Sequence, residues 1–286
     1  MIIGIWIALI VLSIFFIYVL TKDVIKHKDV LENVSIVKTA LIGFVVNFFD
    51  TLGIGSFAPQ TALLKFTKQT KDRVLPGTLN VSNTIPVIIQ ALIFIKIIEV
   101  EAITLTSMLV SATAGAILGA GIVSKLPVKK IQLTMGFALL ATAFFMFSGQ
   151  MEWIPGGGEA IGLTGWKLTL AVVANFILGA FMTAGIGMYA PCMALIYALG
   201  MSPLVAFPIM MGSCAFLMPP ASVKFIKEGA YNRKASVAMA IPGIIAVLIA
   251  AFLVKSLPLN TLRWVVIVVI IYTSLVMFRS ARKSKN

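Results

Sequence analysis

Asp50 is the one acidic residue that falls well inside a long apolar segment of this 286-residue chain. A carboxyl at such depth is costly, and it is kept where it holds a proton, satisfies a polar partner or lines a transport path. It stands next to Thr51-Leu52-Gly53-Ile54-Gly55-Ser56-Phe57-Ala58-Pro59, with Asn47 before and Gln60 after. A second stretch of the same kind is Thr183-Ala184-Gly185-Ile186-Gly187-Met188-Tyr189-Ala190-Pro191, followed by Cys192. Two glycines and a proline within nine residues break a helix, through lost propensity and a missing N–H.

A helix restarting inside a membrane does chemistry of its own. Pro59 and Pro191 fit the first turn of such a half-helix, where an N–H has no helical partner anyway. The restarted N-terminus carries partial positive charge and unpaired N–H groups, which favour an anion. Gly53, Gly55, Gly185 and Gly187 let a ligand approach the broken backbone closely. No span offers a Lys or Arg near its centre, so these dipoles are the evident counter-charge. Further candidates for the lining are Asn80, Ser82, Asn83 and Gln90 in the next apolar segment, and Ser213 and Cys214 in the second half. Asn80 and Asn83 share a helical face, and helix–helix hydrogen bonding is the alternative role for both. Asp50 has two readings, a proton-coupling group or a hydrogen bonder to the broken helix.

Other chemistries lack their residues. The single histidine, His27, sits in a polar loop between Lys26 and Lys28 and has no metal-binding companions. There is no HExxH motif, no Ser-His pair and no second intramembrane acid, so an enzyme is not expected. Gly156-Gly157-Gly158 is not a phosphate loop, since no Gly-Lys-Ser/Thr follows it. Cys192 and Cys214 lie in apolar segments without a CxxC pattern and read as small buried hydrophobes. No cofactor and no metal are expected.

These groups must be held by membrane-spanning helices. Hydrophobic residues make up 60% of the chain, charged residues 12%, and the mean hydropathy is +1.05. A soluble domain carries about a quarter charged residues. Apolar segments run roughly over 2–20, 39–64, 79–98, 102–123, 131–148, 168–198, 203–223, 235–254 and 261–278. About 20 apolar residues cross a ~30 Å hydrocarbon layer. The first segment has no basic leader or small-residue cleavage signal and reads as a retained span. Gly115 and Gly119, spaced G-x-x-x-G, read as a close helix-packing surface.

The two broken stretches match each other at an offset of 132, with eight identities in the thirteen positions from Thr51 to Leu63. Paired interrupted segments in two halves mark a transporter binding site. If each is a re-entrant hairpin, 19 of the 23 Lys and Arg residues fall on one face of the membrane. Full crossings would divide them 14 against 9, so the positive-inside rule selects the hairpins. The net charge of +13 then reflects cytoplasmic loops rather than a nucleic-acid partner. The expected fold is an all-α polytopic membrane protein with two inverted repeats, each a hairpin plus three spans, preceded by one extra N-terminal helix. Its parts are a helix over 1–21, a first repeat over 38–148, an outer linker over 149–166, a second repeat over 167–280 and a tail over 281–286. The N-terminus is expected outside and the C-terminus in the cytoplasm.

Gly43, Asp50-Thr51-Leu52-Gly53-Ile54-Gly55, Pro59 and Gly77-Thr78, with Gly179, Gly185-Ile186-Gly187 and Pro191, resemble the sulfite exporter TauE/SafE family of sulfite and sulfonate permeases. The resemblance covers most of 38–280. It implies a secondary transporter of the inner membrane for a small sulfur-containing anion such as sulfite or an organosulfonate. Proton coupling through Asp50 and alternating access around the hairpin tips complete that expectation. The alternatives are a passive anion channel or a carrier of a non-sulfur organic anion. The lipid bilayer and a small anion are the expected partners, and a symmetric homodimer is the default on base rates.

Overall fold

A computed structural model describes residues 2–153, 158–253 and 259–283. Gly156 and Gly157 of the linker, Lys255 and the last three residues of the tail lie outside the described residues. Among the described residues there are eleven α-helices, joined by loops and short 3-10 turns. They are α1 (Ile2–Lys26), α2 (Ile36–Thr51), α3 (Phe57–Phe66), α4 (Leu75–Ile97), α5 (Ala102–Val123) and α6 (Val128–Gln150). The series continues with α7 (Gly165–Met182), α8 (Tyr189–Ala198), α9 (Ala206–Lys227), α10 (Arg233–Leu253) and α11 (Leu259–Lys283). Seven of them, α1, α4, α5, α6, α7, α9 and α10, are long and apolar enough to cross a membrane. The chain is a multi-pass membrane protein.

Both expected breaks are present. α2 ends in a Schellman motif: the N–H of Gly53 bonds the carbonyl of Asp50 at 2.9 Å, and that of Ile54 bonds Phe49 at 3.2 Å. α7 ends identically 132 residues on, with Gly185 to Met182 at 3.0 Å and Ile186 to Phe181 at 3.4 Å. The motif needs a left-handed residue just past the cap, which glycine adopts without a Cβ clash. Gly53 (φ 82°) and Gly185 (φ 98°) supply it. The half-helices α3 and α8 close alike as well, with Lys68 and Gly200 in the left-handed region.

Each broken segment folds back on itself. The backbone N–H of Ser35, the N-cap of α2, donates to Oε1 of Gln69 just beyond α3 at 2.8 Å. Lys167 Nζ, at the start of α7, donates to the carbonyl of Leu199 just beyond α8 at 3.1 Å. The limbs are unequal. α2 and α7 have 16 and 18 residues and α3 and α8 have 10 each. At 1.5 Å per residue the first limbs rise ~24–27 Å and the returning limbs ~15 Å.

The long helices pack in pairs: α2 on α10, α5 on α7 and α9, α4 on α9 and α10, and α6 on α11. The α5–α7 contact is close because Gly115 and Gly119 face the other helix's backbone. A Cβ on Gly115 would stand 1.9 Å from the Phe176 carbonyl, as the G-x-x-x-G spacing leads one to expect. α1 lies outside this bundle, against α9 and α4. Apart from Ile5, Leu9 and Phe16 it buries little, and its remaining apolar face is left for lipid.

One end of the molecule gathers basic loops. There Arg73 donates to the Ser124 carbonyl, Lys65 pairs with Asp72 at 2.7 Å, and Arg233 pairs with Asp23 at 2.8 Å. His27 is part of this set rather than a solvated loop residue. α1 continues to Lys26, which places His27 Nδ1 at 2.8 Å from the Asp23 carbonyl and 3.3 Å from its carboxylate.

Candidate functional site

The tips of the two broken segments meet in the middle of the bundle. A Cβ placed on Gly55 would lie 3.8 Å from Cβ of Tyr189, the first residue of α8. Between the tips is a small cavity lined by Asp50, Gly55, Ser56, Phe57, Val87, Met182, Gly187, Met188, Tyr189 and Cys214. It has about 10 Å³ of room for the centre of a water-sized sphere, space for about one water molecule. No Lys, Arg or His lines it.

Asp50 sits in the last turn of α2 and is 2% exposed. Its carboxylate accepts from Nε2 of Gln90 on α4 at 2.9 Å, and the side chain and backbone of Ser56 reach it across the break. It therefore joins the end of α2 to the start of α3. The Tyr189 hydroxyl approaches the same carboxylate at 3.3 Å and donates to Oε1 of Gln90 at 2.8 Å. Gln90 also donates to Thr51 Oγ1 at 3.1 Å. One acid, one amide and two hydroxyls thus link both hairpins through α4. Buried polar groups of this kind are kept only when partnered.

The remaining sequence candidates divide by location. Asn47, Asn83, Gln60 and Ser82 form a second buried chain. Asn47 donates to Asn83 at 3.0 Å, Asn83 donates to Gln60, and Gln60 donates to Ser82 at 2.8 Å. This chain ties α2, α3 and α4 together beside the cavity, and these residues are not part of its lining. Asn80 turns back to the Pro76 carbonyl at 2.9 Å, and Thr183 to that of Ala180 at 2.7 Å. Ser213 accepts from Asn175 of α7 at 3.0 Å. Cys192 is buried without lining the cavity. Pro59 stands at the third position of α3, partly exposed.

Pro191 goes elsewhere. With Ala194, Leu195 and Ala198 it lines an apolar groove of about 610 Å³ between α6, α7 and α8, walled opposite by Phe144, Phe145 and Trp153. Asn175 is a lone Asn within an apolar segment and carries no spacing signal in the sequence. It is buried, and it bonds the Met108 carbonyl at 2.7 Å as well as Ser213.

At the N-termini of α3 and α8 neither Ser56 nor Met188 caps its own helix with a side chain. Both ends carry partial positive charge toward the cavity, where donors and hydroxyls can hold a small polar or anionic group.

Residues 168–286 match the family model described as sulfite exporter TauE/SafE. That match is narrower than the 38–280 over which the motifs run, and it takes in the second hairpin and everything after it. No curated protein and no solved structure matches the chain. Gly187, Met188, Tyr189 and Cys214 of the cavity lie within the segment that matches, and over that segment the chain is similar to the sulfite exporter TauE/SafE family.

Proposed function

We propose that this chain is a secondary transporter carrying a small sulfur-containing anion, such as sulfite or an organosulfonate, across the inner membrane. The observation that carries the reading is the meeting of both hairpin tips on one cavity, closed by Tyr189 from one side and by Asp50 and Ser56 from the other.

Transport follows from inverted repeats over 38–148 and 167–280, with 149–166 as the outer linker. Several features support this arrangement. The ends of the first hairpin lie with the basic loops, where Asn232 donates to the Gln69 carbonyl at 3.3 Å. Those of the second lie with the linker, where the Ser202 N–H donates to the Ala160 carbonyl at 2.9 Å. Hairpins that open toward opposite ends let one bundle rock against the other about a fixed site. The clustered Lys and Arg residues support a cytoplasmic basic end and C-terminus, with the N-terminus outside.

In this mechanism the anion lies against the N-termini of α3 and α8 and takes hydrogen bonds from Ser56 and Tyr189. An ionised Asp50 would repel it at contact distance in a medium of low dielectric. Anion entry is therefore coupled to proton uptake at Asp50, and release of the proton on the other side drives the anion out.

Uptake of labelled sulfite and sulfoacetate into proteoliposomes tests this directly. Saturable accumulation that follows an imposed pH gradient is the expected result. Rapid unitary currents would identify a channel, and no flux of either anion from folded protein would remove the sulfur-anion assignment.

A further inference from the structure

One wall of the central cavity is made of sulfur. Cys214 Sγ lies 3.5 Å from Met182 Sδ and 3.8 Å from Met188 Sδ, and all three residues are buried and line the cavity. The repeat shows how unlike the two walls are. At the offset of 132, Met182 stands where the first half has Asp50, and Met188 where it has Ser56. The same offset pairs Cys214 with Ser82. Three oxygen-bearing positions in one half are three sulfur-bearing positions in the other. Oxygen donors suit hard cations, whereas thiolate and thioether donors select soft ones.

Size points the same way. The room beside the sulfurs fits about one water-sized body, the scale of a bare ion. No basic side chain lines the cavity, and it holds one carboxylate and one phenol. A metal–sulfur bond of roughly 2.3 Å puts the sulfurs of a trigonal site about 4 Å apart. The observed 3.5 and 3.8 Å need a spread of a few tenths of an ångström.

We propose that the cavity binds a soft monovalent cation of the copper(I) or silver(I) type, held by Cys214 as thiolate and by the thioethers of Met182 and Met188. On binding, the sulfur–hydrogen bond of Cys214 is exchanged for a sulfur–metal bond, and the proton passes to water with no change of oxidation state. The site does not rest on the anion-transport reading, and either can fail while the other stands.

The test uses Ag(I), which undergoes no redox cycling under these conditions, and the full-length chain in detergent. A Cys192→Ser background leaves one thiol. Equilibrium dialysis with metal counting is expected to give one Ag(I) per chain. Cys214→Ser abolishes it, and Met182→Leu and Met188→Leu, which conserve volume, each weaken it at least tenfold. X-ray absorption at the silver edge, which needs none of these ligand variants, is expected to count three sulfur neighbours. Retention of the ion by Cys214→Ser overturns the proposal. So does undiminished affinity in both methionine variants, or a count of one sulfur, since either would mean an adventitious ion only.

Discussion

The hydroxyl of Tyr189, on the tip of the second hairpin, stands 3.3 Å from the carboxylate of Asp50, on the first. They are 139 residues apart in the chain, and Gln90 bridges them by bonding both. The two halves of the molecule are thus joined at their broken backbones by hydrogen bonds, which can be exchanged for ligand contacts at little net cost.

Removing the phenol tests that link. Tyr189→Phe keeps the ring and its packing but leaves the buried Gln90 Oε1 without its donor. A loss of about 1–3 kcal/mol in unfolding free energy is expected. Substrate affinity should fall as well. Thermal unfolding in detergent and concentration-dependent uptake check both, and an unaltered KM would mean that the hydroxyl serves only the fold.

Asp50→Asn keeps a polar side chain of the same size beside Gln90 and Ser56 while removing the titratable proton. Transport down an anion gradient is expected to persist, and stimulation by an imposed pH gradient is expected to vanish. Uptake measured with the anion gradient fixed and the pH gradient varied distinguishes the two. A wild-type pH response in Asp50→Asn would leave Asp50 as a structural link across the break.

Much of this was legible in the sequence because it depends on backbone chemistry. The breaks at Gly53 and Gly185 follow from residues that can take positive φ, and their equivalence from an offset visible in the letters. The side-chain partners were less legible, because they depend on which helices pack together. Gln90 reads as one polar residue among several in α4 until α8 brings Tyr189 to it. Asn80 and Asn83 share a face and both bond carbonyls of their own helix, yet Asn83 also joins Gln60. Pro191 shares its motif position with Pro59 but faces the groove beside α6.

The glycines should differ in tolerance. Gly53→Ala forces a Cβ into the left-handed region, at a cost of roughly 1–2 kcal/mol. It also meets the Phe207 ring at 3.1 Å. Gly187 has an ordinary φ, and a Cβ there finds nothing nearer than Thr142 Cγ2 at 4.0 Å. Gly187→Ala is therefore expected to unfold at the wild-type temperature and Gly53→Ala several degrees lower. Equal melting temperatures would contradict the assigned backbone geometry.

At the basic end, the Tyr231 hydroxyl donates to Asp23 at 2.7 Å and helps hold α1 to the loop before α10. Burial, and then the bond to Asp23, push this phenol above its ordinary value of 10.0. A group raised on folding contributes stability below its unfolded pKa and loses it as the pH rises further. Between about pH 9 and 11 the melting temperature should thus fall more steeply in wild type than in Tyr231→Phe. Parallel curves would show that the bond contributes nothing.

The central claim is that the two tips form one anion site. It is tested most directly by placing single cysteines there, Ser56→Cys or Met188→Cys, in a background with Cys192 and Cys214 replaced by serine. Maleimide labelling in membranes is followed with and without sulfoacetate, an anion that does not react with the reagent. The account predicts that sulfoacetate slows labelling at both positions, with the same concentration dependence. Unchanged labelling at both, or protection at one tip alone, would contradict it.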